Sequence, residues 1–238
     1  MDEARALQEM IDSSQNIVFF GGAGVSTESG IPDFRSVDGL YHQKYRYPPE
    51  TILSHDFFLS HTEEFYEFYR DKMLKLDALP NPAHKKLADL EKLGKLRAVV
   101  TQNIDGLHQM AGSKTVYELH GSVHRNYCMN CGKSYTAQEI LTSRGVARCT
   151  CGGVIKPDVV LYGESLLGST IEGAVKAIEQ ADMLIVGGTS LVVYPAAGLI
   201  EYYSGNRLVL INKAPTDYDA RADLLIADKI GKVFSQLK

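Results

Sequence analysis

The chain has 238 residues, 45% hydrophobic and 23% charged, enough for one large globular domain or a domain carrying a small inserted module, and too apolar for a disordered or fibrous protein. Its 25 basic and 29 acidic side chains leave a formal net charge of −4, which speaks against the phosphate-driven affinity of a strongly basic nucleic-acid binder. The opening MDEARALQEMIDSS lacks the basic start and apolar run of a secretory signal, and no apolar stretch approaches the ~18 residues that span a bilayer, so a cytoplasmic protein without nucleic-acid or membrane partners is expected.

In chain order, residues 2–13 form an amphipathic helix, and residues 16–20 (NIVFF) are a continuously apolar strand. A glycine turn and a helix start come next at Gly21-Gly22-Ala23-Gly24. From about 36 to 79 the chain is rich in aromatics, among them Tyr41, Tyr45, Phe57, Phe58, Phe65, Tyr66 and Tyr69, and reads as a helical module with a mobile, cofactor-binding connection. Asn81-Pro82 opens a helix over 82–93 that Gly94 ends, before a strand at 96–101 (LRAVVT). Residues 123–155 carry every cysteine. Beyond them come a helix over 171–180 and apolar runs at 183–186, 208–211 and 224–227. These runs lack the polar alternation of half-exposed strands, so they are expected to be covered by helices on both faces. The fold class is therefore α/β, a Rossmann-like doubly wound parallel sheet with a helical insertion and a small zinc-ribbon module. Residues 1–35, 80–122 and 156–238 would make the nucleotide-binding domain, with 36–79 and 123–155 inserted into it.

Cys128-x-x-Cys131 and Cys149-x-Cys151 are two close pairs separated by seventeen residues, and a glycine lies just after each pair. Clustering of this kind favours a metal over disulfides, and four thiolates can reach the tetrahedral geometry of a structural zinc with no position left for water. The module has too few large apolar residues for its own core, so folding around the metal is expected. Cys-x-Cys departs from the commoner Cys-x-x-Cys spacing. His124 lies nearby but is redundant as a ligand.

The strand, glycine turn and helix start at residues 19–27 suit a dinucleotide, because small residues let backbone amides approach a phosphate and the helix N-terminus favours the anion. Thr27 replaces the third glycine of the usual G-x-G-x-x-G, and no acidic strand end occurs about twenty residues later, so an ordinary hydride-transfer site is not indicated. The residues just past the turn are more specific, since Asp33, Phe34 and Arg35 join a carboxylate, an aromatic ring and a guanidinium in three positions. The string GGAGVSTESGIPDFR is similar to the signature of the sirtuins, NAD-dependent protein-lysine deacylases. Four further sirtuin motifs occur in order: TQNIDGLH (101–108), ELHGS (118–122), the cysteine quartet and GGTSLVVYPA (187–196).

The resemblance implies roles residue by residue. Ile104 and Asp105 would line the nicotinamide pocket, with Asn103 and Gln102 at the ribose. Ala23, Thr27, Phe34 and Arg35 would hold the pyrophosphate and shield the nicotinamide side. Thr189, Ser190, Asn212, Asp228 and Ile230 would bind the adenosine half. Read from residue type alone, the segment is a polar loop with Asp105 as a helix cap, and the resemblance reverses that reading. Among seven histidines, His120 sits where the sheet passes into the zinc module, and in the sirtuin pattern this residue is the general base, with Asn103 beside it in the catalytic site.

The implied reaction begins with attack of the acyl oxygen of a modified lysine on the anomeric carbon of NAD. Nicotinamide leaves, an alkylimidate forms, and His120 activates the ribose hydroxyls so that lysine and O-acetyl-ADP-ribose result; zinc takes no part. An acetylated lysine peptide would enter as an added strand between the segment from Val159 to Glu164 and that from Ser190 to Val193. A core-strand role for 159–162 stays open, and Tyr162 stands where the family usually has Phe. Sirtuins that prefer acidic acyl groups resemble one another in a Tyr-x-x-Arg pair. Here Tyr69 occupies the arginine position after Tyr66 and Arg70 falls one residue late, about 100° around a helix, so an uncharged acyl group is favoured. These aromatics could equally pack the helical module. Mono-ADP-ribosyl transfer and a non-enzymatic NAD-binding module are the alternatives.

Overall fold

The computed structural model describes residues 3–34, 39–40 and 45–238. Helix α1 (Glu3–Ser13) precedes β1 (Ile17–Gly21). Three short helices, α2 (Pro49–Ile52), α3 (His55–Ser60) and α4 (Thr62–Phe68), end in a π turn over Tyr69–Met73 and lead to α5 (Pro82–Lys92) and β2 (Leu96–Thr101). Then come α6 (Leu107–Ala111), β3 (Val116–Glu118), β4 (Gly121–Cys128), β5 (Ser134–Tyr135), α7 (Ala137–Thr142) and β6 (Ile155–Val159). The last elements are α8 (Gly168–Glu179), β7 (Met183–Gly187), β8 (Leu208–Ile211), β9 (Leu224–Ile226) and α9 (Ile230–Phe234).

The large sheet has the order β3-β2-β1-β7-β8-β9 with every neighbouring pair parallel, the doubly wound arrangement expected from the apolar runs. Successive side chains of β1 point to opposite faces and both faces are dry. Ile17 and Phe19 pack with Leu7 and Ile11 of α1, Leu87 of α5 and Phe234 of α9. Val18 and Phe20 pack with Ala174 and Ile178 of α8 and with Leu199 and Ile200 on the other side. That double burial is why NIVFF shows no alternation. Strand β3 is absent from the sequence reading because Val-Tyr-Glu at the sheet edge is only half-buried along its length, so it leaves no apolar run. Helix α5 starts where Asn81-Pro82 signals it: the Asn81 side chain accepts from Ala83 N at 2.9 Å, and His84 Nδ1 accepts from Asn81 N.

A second sheet, β5-β4-β6, is antiparallel and carries the cysteines. It shares one apolar cluster with the aromatic helices, in which Phe57, Phe58, Phe65, Tyr66 and Tyr69 meet Val123, Ile140, Ile155 and Val159. Phe58 and Phe65 meet edge to face at 4.9 Å, and Tyr66 Oη donates to the Ile155 carbonyl. Arg70 reaches across to the carbonyls of Ile140 and Gly145 and to Ser143 Oγ. The aromatics therefore do pack the helices, and the same rings supply the dry face that residues 123–155 lack. No helix among the described residues is long and apolar enough to cross a membrane.

Candidate active site

Strand order reverses between β1 and β7, so the loops leaving their carboxyl ends diverge and open a crevice, the place where doubly wound sheets bind ligands. The two loops interlock at glycines. Gly24 N donates to the Gly188 carbonyl at 2.8 Å, and a Cβ on Gly24 would lie 2.8 Å from Gly188 Cα. Gly188 has φ +60, and a Cβ on Gly22 would meet Thr189 Cβ at 2.7 Å. The glycine turn thus serves loop-on-loop contact as well as ligand approach. One expectation is corrected: no α-helix follows it, only two three-residue 3₁₀ turns over Ala23–Val25 and Thr27–Ser29. Gly30, left-handed at φ +83, ends the second turn, so the glycine turn presents no extended helix dipole.

The crevice is a cavity of about 500 Å³. The segment after β1 contributes Ala23, Thr27 and Phe34 to its wall, and the end of β2 contributes Gln102, Asn103, Ile104 and Asp105. His120 arrives after β3, Thr189 and Ser190 after β7, Asn212 after β8, and Asp228 and Ile230 after β9. The residues named from sequence for the cofactor therefore converge on one cavity. Arg35 lies outside the described residues.

A buried polar chain organises the floor. Ser26 Oγ donates to Asp105 Oδ2 at 2.6 Å and accepts from Asn103 Nδ2 at 3.1 Å. Asp105 Oδ1 accepts from Leu107 N, the first N–H of α6, at 2.9 Å, so this side chain holds the start of the helix and faces the site at once. Burial raises the Asp105 carboxyl above its ordinary range, and the bonds from Ser26 and Leu107 oppose that shift. Ser26 was not singled out from the sequence. Its only signal was its place within the GGAGVSTESG string, because a lone serine between Val25 and Thr27 carries no pattern of its own.

His120 Nδ1 lies 2.9 Å from the Gln102 carbonyl. A carbonyl can only accept, so Nδ1 carries the proton and Nε2 keeps its lone pair. Burial lowers the imidazole below its ordinary range while the bond to Gln102 pulls the other way, which leaves it neutral near pH 7. Gln102 is itself fixed, donating its main-chain N–H to Gly21 O at 2.9 Å and its side-chain Nε2 to Thr189 Oγ1 at 3.0 Å. The other described histidines are engaged elsewhere. His84 and His108 are buried in the core, His55 pairs with Glu164, and His61 stacks on Phe57.

On the far side of the cavity Asn212 Oδ1 accepts from Thr189 N at 2.9 Å, while its buried Nδ2 has no partner within the protein. An orphaned donor on a cavity wall fits a polar ligand. The Asp228 carboxylate is held by Lys229 N and Lys232 Nζ. Ile230 is 2% exposed, and its Cδ1 fills the space a Cβ on Gly187 would need, so its side chain is chiefly packing.

The four cysteine Sγ atoms lie within 4.8 Å of one another, with separations of 3.5 and 3.6 Å along three edges. A tetrahedron with metal–sulfur bonds of about 2.3 Å has edges of about 3.8 Å, so the quartet fits zinc and closes its coordination shell. Cys151 N points at Cys149 Sγ at 3.5 Å, and Gly132 (φ +71) and Gly152 (φ +85) turn each knuckle. His124 is engaged elsewhere, with Nε2 on the Asp105 carbonyl.

The two segments expected to frame an added strand both border the cavity, but their edges are less open than their composition indicates. Only Val159 belongs to a strand. Tyr162 already pairs its N–H with Leu53 O and its carbonyl with His55 N, and Val160 N bonds His120 O. Residues 190–193 are irregular, with Leu191 at φ +56. Tyr66, Tyr69 and Arg70 do not reach the cavity, because all three are committed to the second core.

Comparison with known proteins agrees with this geometry. The family model described as the Sir2 family matches residues 22–195. A protein of Clostridium acetobutylicum named NAD-dependent protein deacetylase is 62% identical over 98% of this chain and 97% of its own. One of Staphylococcus aureus with the same name is 47% identical over 99% and 98%. Among solved structures, a Sir2 with p53 peptide and NAD+ superimposes with a TM-score of 0.87 at 41% identity, covering 99% of this chain and 97% of that one. A Sir2 bound to acetylated peptide gives 0.86 at 39% identity over 99% and 97%. With the family model matched over most of its length and relatives of this identity from end to end, the protein belongs to the Sir2 family, the sirtuins.

Proposed function

We propose that the chain is an NAD-dependent protein-lysine deacetylase, converting acetyl-lysine, NAD and water to lysine, nicotinamide and O-acetyl-ADP-ribose. The observation that carries this reading is His120, a neutral imidazole with Nδ1 tied to the Gln102 carbonyl and Nε2 left as a base on a cavity wall at the switch point. Bound NAD supplies the electrophilic ribose carbon and the nicotinamide leaving group. In this reading Ile104 and Asp105 orient the nicotinamide, and Asn103 and Gln102 bind the ribose. His120 Nε2 takes the proton of a ribose hydroxyl. Ala23, Thr27, Phe34 and Arg35 serve the pyrophosphate and the nicotinamide side, and Thr189, Ser190, Asn212, Asp228 and Ile230 the adenosine. Residues 1–35, 80–122 and 156–238 form the NAD-binding domain, with 36–79 and 123–155 as modules that bear on it. Cys128, Cys131, Cys149 and Cys151 would hold a zinc whose four thiolates leave no open position, so the metal shapes the fold and stays outside the reaction.

The acyl-peptide would lie between the stretch from Val159 to Glu164 and that from Ser190 to Val193. The engagement of Tyr66, Tyr69 and Arg70 away from the cavity supports an uncharged acyl group. A cytoplasmic setting is part of the proposal, supported by four unpaired cysteines. The test is mass spectrometry of an acetyl-lysine peptide with and without NAD. Wild type should lose acetyl only with NAD and yield O-acetyl-ADP-ribose, and His120→Ala should lower the rate by about 10²–10⁴-fold. ADP-ribose attached to protein without deacetylation would favour the transferase instead. Because burial lowers His120, the acid limb of kcat/KM should have its midpoint below 6.5.

A further inference from the structure

We infer that His124 is a positioning residue for the nicotinamide end of the site, its imidazole pinning the loop that carries Ile104 and Asp105 to β4. The inference rests on the proposed NAD-consuming activity. The loop leaves the sheet at Gln102 and re-enters regular structure only at α6, and β4 takes up two consecutive carbonyls of it. Val123 N donates to Ile104 O at 3.0 Å, and His124 Nε2 donates to Asp105 O at 2.9 Å. The acceptor is a carbonyl, so Nε2 carries the proton whether the ring is neutral or charged.

Gly106 gives an independent sign of the same contact. It has φ +73, and a Cβ there would stand 2.8 Å from His124 Cδ2 and 2.9 Å from Nε2. The ring therefore lies against the loop backbone at a distance that only glycine permits. Asp105 is then held at both ends, its carboxylate by Ser26 and Leu107 and its carbonyl by His124. His124 is exposed, so it contributes little to the apolar core, and its loss should act on the placement of Asp105 rather than on global stability.

Two variants separate the hydrogen bond from the packing. His124→Phe keeps a ring over Gly106 and removes the donor, and His124→Gln returns an N–H donor at similar reach. In the Phe variant the KM for NAD and the inhibition constant of nicotinamide should rise together by about three- to tenfold, one hydrogen bond's worth. The kcat at saturating NAD and the KM for peptide should stay within about twofold, the pattern of lost ground-state binding. His124→Gln should recover most of the NAD effect. The inference is overturned if His124→Phe leaves both constants unchanged, or if it lowers kcat or the melting temperature without moving the nicotinamide constant. Calorimetric titration of NAD alone keeps positioning and activity apart. A wild type that binds NAD without deacetylating overturns the proposed activity, and the Kd ratio of the variants still decides His124. A wild type that binds no NAD overturns both.

Discussion

The parallel sheet and the cysteine-bearing half both bury aromatic side chains, yet they assemble their cores differently. In the sheet, Ile17, Val18, Phe19 and Phe20 are consecutive and all 0% exposed, so a single short run commits one strand to two apolar layers at once. In the other half, Phe58, Phe65 and Tyr66 come from one stretch of chain and Val123, Ile140 and Ile155 from another far along it, the latter cross-braced by four thiols that suit a metal. The first core follows from local pattern, whereas the second forms only where segments far apart in the chain meet. The cavity borders both, because Gln102 and Thr189 belong to the sheet rim while Val123 and Val159 belong to the second sheet.

The sharpest way to break this comparison is metal removal. Structural zinc contributes about 10–16 kcal/mol of apparent folding free energy in small zinc modules. Chelation under reducing conditions should therefore deprotect amides in α3, α4, β4 and β6 while β1, β2 and β7 stay protected, as read by hydrogen exchange. Equal loss in both halves would mean that the two cores fold as one unit. The converse perturbation is Phe19→Ala, which opens a cavity beneath the sheet and should cost about 3–5 kcal/mol by urea denaturation. It should lower the protection of all sheet strands together, and an effect confined to β1 would count against a single cooperative sheet.

A smaller effect sharpens the contrast through pH. His84 is 0% exposed between α5 and α6, its ring 4.7 Å from His108, and burial lowers it from 6.5 to about 4. His108 is lowered by its own burial and then by His84. With the folded-state value depressed, the unfolded chain takes up the proton first as pH falls. The stability tied to neutral His84 is thus whole above about 6.5 and lost on the way down to about 4, roughly 3 kcal/mol in all. His84→Gln can still accept from Asn81 N and no longer titrates. Its stability should fall less steeply than that of wild type between pH 7 and pH 5, by up to one proton's slope. Equal slopes would remove His84 from the acid response of the sheet half.

Much of this was legible in the residue order. Continuous apolar runs marked five of the six parallel strands; β1, β7 and β8 are buried at every position as strands covered on both faces must be, whereas the run at β9 lies at the sheet edge and, contrary to expectation, leaves Leu225 41% exposed. Asn81-Pro82 marked the start of α5 because capping is local chemistry. The spacing of Cys128, Cys131, Cys149 and Cys151 marked a tetrahedral thiolate cluster, and the motif strings marked the residues that meet around the cavity. Tertiary structure alone decided the rest. Strand β3 pairs at a half-exposed edge, so composition carried no trace of it. The glycine turn opens into 3₁₀ turns rather than a helix, and Tyr162 spends its main chain on Leu53 and His55. Ser26, Asp105 and Asn103 form one hydrogen-bonded chain, and His124 reaches back to Asp105, across sequence gaps no local pattern spans. The reason is physical: burial periodicity, caps and ligand spacing are written along the chain, whereas the partner that satisfies a buried polar group is chosen by whichever segments the fold brings within about 3 Å.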